Sequence, residues 1–477
     1  MKEIQADVCV IGAGSGGLNV ASGSAQLGVR TVLIEGGEMG GDCLNTGCVP
    51  SKALLHVAKT AQVVRKSSRY GISTGQGEVT VDYAQAMTHV RDAIAAIEPH
   101  DSQERFEGLG VNVIRDYGRF LDPHTVEAGD HRIRAKFFVI ATGSHALIPP
   151  VPGLTEVPFL TNETLFTNTD KPEHLAIMGG GPIGAEMAQA HRRLGCRVTL
   201  IEMASSIMGK DDPDLVAVVR RQLIAEGIDV REGTRVSAVS GTAGDLSLTL
   251  EADGASETLK ASHLLVATGR KPAIERLNLD AAGIDHTPQA ITVRPNMRTS
   301  QRHIFAIGDV VGGPQFTHMA GHHASVVVRE MLFRMPAKAD TKTVPWVTYT
   351  DPELAQIGMT ETAARAAGLE PRVELTNVGG NDRYITENIE EGLAKLVFDA
   401  RGKLLGAGIA APGAGDLIAS LGLVIGGQIK LSTLAGQIVP YPTHAEVPKR
   451  MAGAHLAPTL FAKRTQRLIK LLLKLPA

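Results

Sequence analysis

Two stretches of the chain share one pattern of apolar and polar positions. Residues 7–35 (DVCVIGAGSGGLNVASGSAQLGVRTVLIE) begin with an apolar, β-branched run that breaks at G-x-G-x-x-G. A small-residue segment follows, stops at Leu-Gly, and leads into a second apolar run closing on Glu35. Residues 175–202 (LAIMGGGPIGAEMAQAHRRLGCRVTLIE) repeat this and close on Glu202. Each predicts strand, glycine turn, helix and strand, the unit of a dinucleotide-binding fold. Apolar strands ending in ATG close at Gly143 and Gly269, and a proline-rich connector spans 145–172. They predict passages from a first nucleotide domain into a second and back again, the return followed by HIFAIGDV at 303–310. From about 343 the pattern becomes that of a mixed unit with antiparallel strands. The expected fold class is α/β: two Rossmann-like domains plus a C-terminal α+β domain, with segments 1–150, 151–270, 271–342 and 343–477.

Composition changes this picture little. A length of 477 residues suits several domains. The 52 glycines cluster at strand ends, where tight turns need them. A net charge of −2 argues against nucleic acid as the main partner. Four cysteines are too few for a secreted disulfide framework. The N-terminus runs straight into an apolar strand with no signal-peptide pattern, and no stretch reaches the ~18 apolar residues of a membrane span. These features predict a soluble, cytoplasmic protein. The last segment, LAPTLFAKRTQRLIKLLLKLPA, is basic and amphipathic at helical spacing. The preferred reading is a helix packed on its own protein, and the alternative is contact with a membrane surface.

In the first motif Gly12 makes the turn, Gly14 admits a pyrophosphate and Gly17 lets helix and strand close up, while Glu35 is placed for a ribose diol. Gly179, Gly181, Gly184 and Glu202 repeat this logic. No arginine follows Glu202 in MASSIM, which favours NAD(H) over NADP(H). Two such sites imply two dinucleotides, one of which could be a flavin, and Asp309 of GDV could reach a flavin's sugar-like chain. Gly118, Thr142 and Gly143 are further candidates on the first site, and Gly269 on the second. The segment GGDCLNTGCVPSKALL (40–55) sets Cys43 and Cys48 around Gly47, which loosens the backbone, and the following VPSKALL reads as a helix with Pro50 in its first turn. A helix start favours thiolate, so the pair reads as redox-active. Zinc ligation would need two more ligands that no second cysteine pair supplies. His318, His322 and His323 read as a helix near the flavin, and no metal site is expected. Cys9 and Cys196 read as buried small hydrophobes.

GGxCLNxGCVPSK resembles the redox signature of class I pyridine-nucleotide–disulfide oxidoreductases, a family that includes dihydrolipoamide dehydrogenase, glutathione reductase and mercuric reductase. The resemblance runs through the flavin motif, the redox loop, both ATG strands, the second nucleotide motif, AIGDV and the C-terminal unit. It implies an FAD domain in two pieces, an inserted NAD domain and a C-terminal dimerisation domain in a homodimer that shares its active site. It further implies that Cys43 meets the substrate and Cys48 the flavin. Lys52 would sit beside flavin N5 and pair with Glu186, and Asp309 would bind the ribityl chain. Electrons would pass from NADH through FAD to the Cys43–Cys48 disulfide and on to an acceptor, or in reverse.

One position departs from the family. Its C-terminal H-P-T-x-x-E supplies a histidine acid–base catalyst oriented by the glutamate, whereas this chain reads Tyr441-Pro442-Thr443-His444-Ala445-Glu446. Tyrosine is a poor proton acceptor at neutral pH, so either His444 serves or the acceptor needs no such base. Mercuric reductases resemble the chain in having tyrosine there, but they also use a C-terminal cysteine pair, and here no cysteine follows Cys196. Three readings follow: a disulfide oxidoreductase of dihydrolipoamide dehydrogenase type, a metal-ion reductase without the C-terminal cysteines, and a redox-sensing, membrane-docked accessory protein.

Overall fold

The computed structural model describes residues 1–73 and 79–476, which form two compact units: Met1–Ala204 with Ile228–Ala339, and Ser205–Gly227 with Asp340–Ala477.

The first unit is built on β1 (Lys2–Ile11), α1 (Ser15–Gln26), β2 (Thr31–Ile34), α2 (Gly41–Asn45), α3 (Cys48–Arg65), β3 (Asn112–Ile114), β4 (Arg119–Asp122), β5 (Thr125–Ala128) and β6 (His131–Ile140). Parallel pairing runs β3-β2-β1-β6. The long β6 changes partner along its length: its first half pairs antiparallel with β5, its second half parallel with Ile304–Ala306. The unbroken apolar run of β1 follows from burial on both faces. Val8 and Val10 enter one core with Leu33, Val139 and Phe305, while Cys9 and Ile11 enter another with Phe120, Phe138 and Ile140.

The second nucleotide motif continues the chain with β7 (His174–Met178), α4 (Pro182–Arg193) and β8 (Arg197–Ile201). Next comes α5 (Pro213–Ala225), which belongs to the second unit, then β9 (Asp229–Arg231). A meander of β10 (Arg235–Thr242), β11 (Asp245–Ala252) and β12 (Ala255–Ala261) leads to β13 (His263–Val266). The parallel order is β9-β8-β7-β13, and Leu246, Leu248 and Leu250 of the meander pack on Ala176, Met178 and Val266. The chain then returns through β14 (Ile304–Ala306) and α6 (Thr317–Met331).

The second unit is an antiparallel sheet of β15 (Pro345–Thr348), β16 (Glu353–Gly358), β17 (Arg372–Asn377), β18 (Leu393–Phe398) and β19 (Leu404–Ala411), in the order β15-β16-β19-β18-β17. Residues alternate across a strand, so Ala394, Leu396, Ala407 and Ile409 face a core with α7 (Ala414–Ile425) and α8 (Glu446–Leu460). On the other face Gly408 meets Leu215 of α5. There the buried Lys395 reaches Asp212 (2.9 Å), Asp214 (2.7 Å) and Glu361 (2.8 Å). The last helix, α9 (Lys463–Leu472), has no buried residue. The expectation that it packs on its own protein gains no support from this single chain, in which none of its residues is buried.

Candidate active site

The two nucleotide motifs have nearly the same geometry. Gly12 (φ 106°) and Gly179 (φ 109°) hold a backbone conformation that side chains rarely adopt, and a Cβ at either would strike the carbonyl of Ala141 or Ala267. A Cβ on Gly17 or Gly184 would enter the carbonyl of that same turn glycine, so helix and strand close up only without one. Gly14 and Gly181 face open space, and neither α1 nor α4 has a side-chain cap, leaving first-turn amides for phosphate oxygens. Glu35 accepts from the amides of Ala13 (2.5 Å) and Gly37 (2.6 Å). Glu202 accepts from Gly180 (2.7 Å) and Ala204 (2.7 Å). Each carboxylate therefore fastens the glycine turn to the next loop and keeps lone pairs for a diol. These open amide cradles fit two dinucleotides.

Around the first motif, Thr142 Oγ1 donates to the Ala273 carbonyl (2.8 Å), tying down the ATG turn, and Gly143 (φ 68°) faces open space. Gly269 (φ 145°) closes the second such turn. Gly118 packs its Cα against Ile11 in the sheet, where a Cβ would crowd the isoleucine. Asp309 accepts from Ser144 Oγ (2.6 Å) and lies 3.6 Å from Arg270, and burial raises its pKa. The buried His323 accepts from the Gly308 amide (3.3 Å), and burial lowers its pKa to about 4, so it is a neutral prop for the Gly308–Asp309 turn. His318 stacks on Phe316.

The redox loop is held by its own carboxylate. Asp42 accepts from Thr46 Oγ1 (2.7 Å) and Asn162 Nδ2 (2.9 Å) and pairs with Arg270 (3.3 Å), which fixes the single turn α2 carrying Cys43. Cys48 is the first residue of α3, exposed, with its sulfur 3.2 Å from Thr317 Oγ1; Cys43 is half-buried. A hydrogen bond from Cys43 lowers the Cys48 thiol to about 6, with help from Thr317 and the Lys52 charge and against partial desolvation. Cys43 is raised, because its proton is held by Cys48 and because burial and the Cys48 charge disfavour a second thiolate. One turn along α3, Lys52 Nζ lies 2.9 Å from Glu186 Oε2 of α4, whose side chain is 6% exposed. The ion pair thus couples the redox helix to the second nucleotide helix. Cys9 and Cys196 are fully buried, and burial raises both thiols.

Sequence reasoning did not single out Asp42, Ser144, Arg270 or Thr317. The only local signal is that each adjoins a motif residue: Cys43, Gly143, Gly269, and the start of the helix after GDV.

Within the second unit, Tyr441 is 70% exposed and donates to Asp382 Oδ2 (2.9 Å). That bond and the carboxylate charge raise the phenol pKa. His444 Nε2 lies 3.1 Å from Glu387 Oε2, and its ring stacks on Tyr384 at 4.3 Å. Glu446 Oε2 is buried with no hydrogen-bond partner among the described residues, and Arg450 lies 3.7 Å from its other oxygen.

Residues 6–324 match the pattern of the pyridine nucleotide-disulphide oxidoreductases, and residues 344–452 match that family's dimerisation domain. The chain belongs to this family. Like its relatives, this pyridine nucleotide-disulphide oxidoreductase uses FAD and a nicotinamide dinucleotide, and its dimerisation domain indicates a homodimer. It is 30% identical over 97% of its length to a mercuric reductase of Staphylococcus aureus, covering 83% of that protein. It is 35% identical over 92% of its length to a dihydrolipoyl dehydrogenase of Thermus scotoductus, covering 95% of that protein. Among solved structures, a Cu(II) complex of the HOCl-induced flavoprotein disulfide reductase RclA from Escherichia coli superimposes with a TM-score of 0.84. It shares 27% identity, with 94% of this chain and 99% of that one covered. The oxidoreductase, flavoprotein and α/β expectations are thereby met.

Proposed function

We propose that this family member is an NADH-dependent reductase whose Cys43–Cys48 dithiol delivers electrons to a thiophilic metal ion rather than to a small disulfide such as lipoamide. Bound FAD would supply the two-electron relay between nicotinamide and cysteines. The flavin would be held by the Gly12 turn, Glu35 and Asp309, the nicotinamide dinucleotide by the Gly179 turn and Glu202. Lys52, paired with Glu186, would place a cation beside the redox helix, and Cys48 would hold the thiolate while Cys43 keeps its proton.

The observation that carries the reading is Tyr441 bound to Asp382. Proton balance makes it count. Reducing a disulfide with NADH consumes a proton and leaves a thiolate that a nearby acid must protonate. Reducing Hg(II), or two Cu(II) to Cu(I), with NADH releases a proton and needs no such acid. A phenol whose pKa is raised by a carboxylate is a poor proton carrier at neutral pH. Mercuric reductases among the relatives, and the Cu(II) complex of a structural neighbour, agree with this acceptor class. The His444–Glu387 pair supports a second reading, in which His444 is the acid–base group and the acceptor is a disulfide.

Steady-state NADH oxidation decides between them, comparing lipoamide with Hg(II) and Cu(II) salts free of thiol ligands in the wild type and Tyr441→His. The proposal expects slow lipoamide turnover in the wild type, a gain of ~10²-fold or more in Tyr441→His, and brisk metal turnover in the wild type. Fast wild-type lipoamide turnover that His444→Ala abolishes would establish the second reading.

A further inference from the structure

The helix α9 lies beyond the matched dimerisation domain, which ends at residue 452. From 453 to 477 the chain carries five Lys or Arg and no Asp or Glu, although its net charge is −2. Lys463, Arg467, Lys470 and Lys474 recur at spacings of four, three and four and so form one helical face. Leu468, Leu472 and Leu475, spaced the same way, form the opposite face and are 53%, 52% and 63% exposed. Among the described residues no helix is long and apolar enough to cross a membrane.

We propose that α9 docks the enzyme on an anionic lipid surface, lying in the headgroup plane with its leucines toward the acyl chains and its lysines and arginine among the phosphates. Such amphipathy in a short helix gives interfacial binding rather than insertion, and the basic face selects anionic lipid. Charge also decides against a second copy of this helix as the occupant: two tails bearing only positive side chains repel each other. In a homodimer two such helices act together, so the assembly binds far more firmly than one tail alone.

The test is flotation of the purified full-length holoenzyme with extruded vesicles, half phosphatidylglycerol and half phosphatidylcholine, against phosphatidylcholine alone. The expected result is binding to the anionic vesicles that weakens with added salt and little binding to the neutral ones. Removing residues 462–477 should abolish it, as should Leu468→Asp with Leu472→Asp, with NADH oxidation unchanged in both. Each basic residue contributes about fivefold near an anionic surface, so Arg467→Gln, Lys470→Gln and Lys474→Gln together should weaken binding roughly a hundredfold. Wild type that fails to float, or a truncated chain that floats equally well, would overturn the proposal. A particle mass that falls on truncation, with no flotation of the wild type, would assign the helix to self-association instead.

Discussion

The two cysteines differ by position rather than by composition. Cys48 opens a helix, takes a hydrogen bond from Cys43 and lies near the Lys52 charge, so its thiol falls to about 6 while that of Cys43 rises. A lowered thiol pKa means thiolate above it. Iodoacetamide alkylation of the reduced enzyme should therefore accelerate about tenfold between pH 5 and pH 7 and then level off. Lys52→Met should move that midpoint upward by removing a stabilising cation. A midpoint above pH 8 in the wild type would show that the pair is not poised in this way. Glu202 makes a similarly local prediction. With its carboxylate fixed by two amides and no arginine in MASSIM, kcat/KM for NADH should exceed that for NADPH by at least tenfold in steady-state assays. Tyr441 shows the limit of reading identity alone. The sequence reveals the missing histidine, but only the fold shows Asp382 placed to push the phenol further from a proton-transfer role.

At the level of elements, both nucleotide units were legible because their chemistry is local. A β-branched run buried on both faces, glycines fixed by a turn and by helix–strand contact, and a closing glutamate all lie within thirty residues of one another. The redox helix was legible from Gly47 and Pro50 for the same reason. What holds the redox turn was not, since Asp42, Asn162 and Arg270 come from three distant segments and show no periodicity. The attachment of α5 to the C-terminal sheet was likewise hidden, because its anchor Lys395 lies about 180 residues downstream. That anchor is 2% exposed and balances Asp212, which is 1% exposed. Removing it leaves a buried carboxylate unpaired, a change that typically costs about 3–5 kcal/mol. Lys395→Ala should shift denaturant unfolding accordingly, read from Trp346, the chain's single tryptophan, which donates to Asp211 in the same unit.

For the whole molecule, the matches give the family and its cofactors, while the tail lies beyond the matched residues. A dimerisation domain predicts a particle of twice 50.4 kDa by light scattering. The central expectation is that electrons from the nicotinamide reach a disulfide between Cys43 and Cys48. Thiol counting under denaturing conditions tests it most directly, before and after anaerobic addition of one equivalent of NADH. With four cysteines in the chain and Cys9 and Cys196 buried as thiols, the oxidised enzyme should show two thiols and the reduced enzyme four. A Cys48→Ser variant should show no gain and should lack the long-wavelength absorption of the two-electron-reduced enzyme. Four thiols before reduction, or no gain after it, would contradict the account.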